Sequence, residues 1–176
     1  LMLAAQRRGW RVCYATLSQV EAEGGAVSVT ASPVIPEAGP PYFSFEPEER
    51  RPLRAFAAVF IRKDPPVDDA YRGALELLAR EEKKIRMVNS PTALLRHNEK
   101  LVILNFPRLI PPTCVVAQAN RVAGFLRQQK HGIVLKALNS FAGRGVARIL
   151  PGASDWEADW ERLSEGGRLP VMAQAF

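Results

Sequence analysis

Cysteine and histidine are scarce in this chain, with only two of each among 176 residues. Cys13 and Cys114 lie far apart, form no Cys-x-x-Cys pair and have no histidine beside them, so a metal site or disulfide framework is not expected. Both sit in apolar, strand-like contexts and read as buried, reduced thiols. His97 and His131 lack ligand spacing as well. Long apolar runs are missing too. The longest, Ala55 to Ile61, is far too short to cross a bilayer, and no charged segment followed by an apolar one opens the chain. No membrane association is expected, and the expected compartment is the cytoplasm. Blocks of like charge are absent. The net charge of +6, from 24 Lys and Arg against 18 Asp and Glu, is scattered over positions such as Arg7, Arg50, Lys83 and Lys130. No aromatics are interleaved with these cations to stack bases, so a small anion is a better partner than a nucleic acid. Repeats and low-complexity segments are lacking as well.

What is present is an ordinary globular composition. Apolar residues make up 47% and charged residues 24%, which supports one large domain or two small ones. Leu1 to Gly9 reads as the end of a helix, with strong helix formers, Arg7 and Arg8 at the negative dipole end and a glycine stop. A strand over Arg11 to Ala15 follows. A βαβ unit begins with a strand, so the chain is expected to start inside one. Glu23 to Ser32 reads as a small hairpin about a Gly-Gly turn, with Val27, Val29 and Ala31 alternating. Pro33 to Pro52 reads as a long surface loop. Ala57 to Ile61 fits a central parallel strand buried on both faces. Asp68 to Glu82 has the pattern of an amphipathic helix, with Tyr71, Ala74, Leu75 and Leu78 inward. Arg86 to Asn89 is a short strand, and Ser90-Pro91 caps and opens another helix. This alternation supports a doubly wound α/β sheet up to about residue 97. Beyond it the expected elements are a helix over Asn98 to Asn105 and a strand over Thr113 to Val116. A helix over Ala119 to Gln129 and strands at Gly132 to Lys136 and Val146 to Leu150 come next. A helix over Asp155 to Leu163, with Trp156 and Trp160 as packing residues, and a strand over Val171 to Gln174 complete the series.

Three segments carry candidate chemistry. Ile133-Val134-Leu135-Lys136 delivers a lysine to the base of a glycine-containing loop that includes Gly143, Arg144 and Gly145. An ammonium, open backbone N–H groups and a guanidinium can together hold polyphosphate. The spacing equally describes a plain hairpin with an exposed lysine, and the order of a P-loop is absent. Asn98-Glu99-Lys100-Leu101 offers a second lysine at the start of an expected helix, or simply a solvated helix start. Arg62-Lys63-Asp64-Pro65-Pro66 follows the buried strand, where open α/β sheets bind ligands. A rigid turn serves equally well.

Together these segments resemble the prokaryotic glutathione synthetase family along essentially the whole chain. The matching pieces are Ala5-Gln6-Arg7-Arg8-Gly9, Arg62-Lys63-Asp64-Pro65-Pro66, Val88-Asn89-Ser90-Pro91, Asn98-Glu99-Lys100-Leu101, Val134-Leu135-Lys136, the glycine loop and Met172-Ala173-Gln174, in the family's order. The resemblance implies a Rossmann-like pre-ATP-grasp domain over 1–97 that helps bind the peptide substrate. The first α+β subdomain of an ATP-grasp fold would follow over 98–176, the whole being truncated at both ends. It implies ATP-dependent ligation of γ-glutamylcysteine and glycine through an acyl phosphate, with Mg2+ as a further cofactor. Carried over by position, Lys100 and Lys136 are ATP-phosphate lysines. Gly143, Arg144 and Gly145 fall in the phosphate-covering loop, and Gln174 at the edge of the adenine pocket. Arg62 and Asp64 fall near the peptide substrate. The full-length protein is expected to be a homo-oligomer.

The loop departs from the family's usual LDGMGG, reading Leu138-Asn139-Ser140-Phe141-Ala142-Gly143, with an acid and two glycines replaced. The family's magnesium ligands and catalytic arginine lie further along than Phe176, so neither metal ligands nor catalytic residues are expected within this chain, and the chain alone is expected to be inactive. Another ATP-grasp carboxylate–amine ligase and a non-catalytic nucleotide-binding remnant are the competing readings.

Overall fold

The computed structural model describes every residue except Pro65, Phe141, Ala142 and Arg144. The fold is mixed α/β, in two compact units. One comprises residues 1–63 and 67–96, the other residues 64–66 and 97–176.

In the first unit, α1 (Met2–Gln6) leads through Gly9 into β1 (Val12–Tyr14). The strands β2 (Val20–Glu23) and β3 (Ala26–Pro36) form the hairpin about Gly24 and Gly25, both with positive φ. β4 (Phe43–Phe45) and β5 (Glu49–Pro52) follow. All four of these short strands pair antiparallel with β3, which carries the five-stranded sheet. The proline-rich stretch is thus not one long loop. Proline removes a donor but keeps its carbonyl, and Pro33 uses that carbonyl to accept from the Glu46 N–H at 2.9 Å, just past the end of β4.

β6 (Ala58–Phe60) precedes α2 (Asp69–Ala79), which is followed by β7 (Arg86–Val88) and α3 (Pro91–Arg96). β6 and β7 pair in parallel, the βαβ arrangement that the alternation suggested. The expectation of a strand buried on both faces is corrected. Ala58 and Val59 are half-buried and Phe60 is exposed, because β7 is the one neighbour of β6 among the described residues. Asp68 caps α2 by accepting from the Tyr71 N–H at 2.8 Å, and Ser90 caps α3 through the Ala93 N–H at 3.0 Å. Tyr71, Leu75 and Leu78 of α2 pack with Val27, Val29, Ala31, Leu53 and Ile61 as the core of this unit.

The second unit holds β8 (Thr113–Val116), α4 (Ala119–Arg127), β9 (Ile133–Ala137), β10 (Val146–Ile149), α5 (Trp156–Ser164) and β11 (Val171–Ala175). Its four strands form an antiparallel sheet in the order β10-β9-β11-β8. Ile133, Leu135, Ala147, Ile149, Val171 and Ala173 turn one face toward Val122 and Leu126 of α4 and Trp156 and Leu163 of α5. The second tryptophan of α5, Trp160, donates from Nε1 to the Ala117 carbonyl at 2.9 Å, a packing role with its polar handle satisfied. No α-helix forms over Asn98 to Asn105. A turn is followed by a 3₁₀ segment at Val102–Asn105, because the Asn98 side chain takes up the Lys100 and Leu101 N–H groups at 2.9 and 3.3 Å. Cys13 and Cys114 are free thiols but only partly buried, and burial pushes the Cys114 thiol up.

Candidate functional site

Strand alternation gives the second sheet a face opposite its helices. Lys136 of β9, Thr113 of β8, and Met172 and Gln174 of β11 share that face. Gln174 stands directly across from Thr113 and diagonal to Lys136. Met172 and Gln174 are 1% and 7% exposed, so this polar row is recessed. Lys136 Nζ donates to Gln174 Oε1 at 2.5 Å, Gln174 Nε2 donates to Thr113 Oγ1 at 3.0 Å, and Thr113 Oγ1 donates to the Pro111 carbonyl at 2.7 Å.

Just past Lys136 the chain leaves β9 for the glycine loop. Its base is closed by the Ala137 N–H donating to the Gly145 carbonyl at 2.8 Å, and by Ser140 Oγ donating to the Ala137 carbonyl at 3.0 Å. Gly145 is dictated by space, since a Cβ there would lie 1.9 Å from Ser140 Oγ. Gly143 has φ +75, which favours glycine for a different reason. Arg144 lies outside the described residues.

The Asn98–Leu101 turn docks on the first arm of this loop. Asn98 Nδ2 donates to the Leu138 carbonyl at 3.1 Å, and Lys100 Nζ donates to the Ser140 carbonyl and to Glu99 Oε1 at 3.1 Å. The Lys100 side chain is only 14% exposed. Lys136 and Gln174 are thus bonded to each other at the end of β9, and Lys100 and Gly145 flank the loop that leaves it. Among the described residues no carboxylate stands within ion-pair distance of Lys136, whose ammonium gives one of its three donors to Gln174 Oε1 and keeps two for an anion. One ammonium on the glycine loop and another at the end of the strand that precedes it are chemically suited to an anion. No cluster of three or more His, Cys, Asp or Glu suited to a metal occurs among the described residues.

Arg62 and Asp64 are placed differently. Arg62 is exposed in the first unit, just past the carboxyl end of β6, whereas Asp64, also exposed, groups with the second unit. Three residues without an assigned role prove to hold the junction together: Asn98, Thr113 and Ser140. Asn98 had a signal, an Asn two residues before a lysine at a turn. Thr113 had none, because its contact depends on the β8–β11 register, 61 residues apart.

Comparison with known proteins places both units in one family. The family described as prokaryotic glutathione synthetase, N-terminal domain, matches residues 1–96, and prokaryotic glutathione synthetase, ATP-grasp domain, matches residues 99–176. The glutathione synthetase of Parasynechococcus marenigrum is 41% identical over 177 aligned residues, and that of Prochlorococcus marinus 39%. All of this chain is covered in both, but only 56% of either relative, so the chain spans about half the length of the curated relatives it matches. Among solved structures, D-alanyl-alanine synthetase A from Vibrio cholerae superposes with a TM-score of 0.51 at 16% identity, over 89% of this chain and 47% of that one, a likeness of fold alone. With one family matching through both units, the chain belongs to the prokaryotic glutathione synthetases.

Proposed function

We propose that these residues form the peptide-substrate domain and the first nucleotide-binding subdomain of an ATP-dependent ligase that joins γ-glutamylcysteine to glycine. One observation supports this reading above the rest: Lys136 ends β9 just before the glycine loop and bonds to Gln174 of β11, while Lys100 bonds to the Ser140 carbonyl of that loop, both within the segment that matches the ATP-grasp domain. Two ammonium groups held there bind and orient the ATP phosphates, by the electrostatic logic that serves phosphoryl transfer elsewhere. Arg144 adds a third cation from the loop. Gln174, in contact with Lys136, borders the adenine, and Arg62 and Asp64 contribute to the peptide side.

Phosphoryl transfer from ATP to the γ-glutamylcysteine carboxylate gives an acyl phosphate with release of ADP. The glycine amine then attacks the acyl carbon, forming the peptide bond and expelling phosphate. Mg2+ neutralises phosphate charge when bound, and its ligands are proposed to lie outside these residues. Ligase turnover is accordingly expected of the longer protein and not of these 176 residues alone. ATP hydrolysis by the longer protein, measured with and without γ-glutamylcysteine plus glycine, tests the assignment. Stoichiometric ADP and glutathione are expected. Hydrolysis coupled to a different acceptor would replace the substrate assignment, and no nucleotide turnover under any condition would overturn the enzyme.

A further inference from the structure

We propose that Thr113 is a positioning residue for Lys136, acting through the side-chain amide of Gln174. The proposal rests on the reading of Lys136 as a phosphate-binding lysine. It comes from the polarity of the hydrogen-bonded row across β9, β11 and β8. A glutamine side chain has two ends of nearly equal shape and opposite polarity, so packing alone does not decide which end faces a neighbour. An ammonium has donors only. Lys136 can be held by Gln174 only when Oε1 faces it, as it does at 2.5 Å. With the amide turned over, an NH2 group would oppose the ammonium and push it away.

What sets the sense of the amide is on its other side. Nε2 donates to Thr113 Oγ1 at 3.0 Å, directly across the β8–β11 pair. A hydroxyl can give or accept, but the Thr113 proton is committed to the Pro111 carbonyl at 2.7 Å, and a carbonyl can only accept. The next carbonyl along, that of Pro112, accepts from the Ala175 N–H at 2.9 Å and so ties the segment before Thr113 to the residue after Gln174. The direction therefore runs from a backbone carbonyl through a hydroxyl and an amide to the ammonium. Because Gln174 is 7% exposed, water is a poor substitute for the missing partner if the hydroxyl is removed.

Thr113→Val preserves shape and β-branching and deletes only the hydroxyl, while Thr113→Ser keeps the hydroxyl. In the 15N-labelled chain, Thr113→Val is expected to shift the Gln174 side-chain NH2 signals and speed their exchange with solvent, with the backbone spectrum of the sheet retained. Affinity for ATP should fall about tenfold, the size of one lost charge-assisted hydrogen bond. Thr113→Ser should restore both. Unchanged Gln174 signals in Thr113→Val would overturn the proposal, as would a Thr113→Ser variant that behaves like the valine. Lys136→Met separates the two readings. If it leaves ATP affinity unaltered, the nucleotide assignment fails, and the Gln174 signals in Thr113→Val then decide the positioning role by themselves.

Discussion

Glu81 shows how much one residue can carry. Its side chain is 2% exposed, yet it is charged, held by Arg54 through two bonds at 2.6 and 3.1 Å and by Lys84 at 3.3 Å. The hydrogen bonds from Arg54, aided by Lys84, bring its carboxyl down to about 2 against the opposing effect of burial. A carboxylate depressed in the folded state stabilises it above the ordinary value of 4.5, and that contribution is lost as the pH falls toward about 2. Glu81→Gln should therefore lower the thermal midpoint at neutral pH and leave it nearly unchanged at the acid end of that window. Equal loss at both ends would place the effect in packing instead. For Lys136, replacement by Met should weaken nucleotide binding by about 10–100-fold, the equivalent of roughly 1.5–3 kcal/mol for a contact to a charged group. Calorimetric titration of ATP against both proteins measures it.

At the scale of elements, the glycine loop depends on one close approach. Gly145→Ala puts a methyl group against Ser140, whose Oγ and Cβ would lie 1.9 and 2.2 Å from it. A cost of about 1–3 kcal/mol is expected, as for other overpacked positions. Ser140→Gly in the same chain should recover part of it, and denaturant titration of the single and double variants reads the coupling. Much at this scale was legible in the residues. α2 could be read because Asp68, Tyr71, Leu75 and Leu78 carry both its cap and its period, and both act within one turn. The hairpin at Gly24-Gly25 was equally local. The extent of β3 was hidden, since prolines at 33 and 36 argue for a loop and only the strands that flank it argue otherwise. Asn98 misled in the other direction, its side chain replacing the helix expected after it with a turn. Of the site, Lys136, Lys100 and Gly145 were legible by family resemblance, whereas Thr113 was not, because register between distant strands leaves no local trace.

Across the whole molecule, the acid-sensitive carboxyls are distributed unevenly between the units. The carboxyls held below their ordinary range, Glu21, Glu49, Glu81 and Glu82, all belong to the first unit. Each owes its shift chiefly to a hydrogen-bond donor: Arg50 for Glu21, Arg51 for Glu49, Arg54 for Glu81 and Ser90 with Thr92 for Glu82. By the same sign as for Glu81, acid should loosen the first unit before the second. Residue-resolved hydrogen exchange at falling pH should show protection lost first in β2, β5 and α2, and later in β9 and β11. Simultaneous loss would refute it.

The strand order of the second sheet has a consequence for how the protein is made. β11 is the last of its strands in the chain, yet it lies between β9 and β8. A ribosome that has released everything through α5 has released a β9–β10 hairpin and an isolated β8, the two outer parts of a sheet with no middle. Gln174 arrives on that final strand, so Lys136 gains its partner only as synthesis passes it. The junction proposed to bind phosphate is thus among the last features of these residues to form, and a nascent chain has no Lys136–Gln174 pair while it is still being extended through β11.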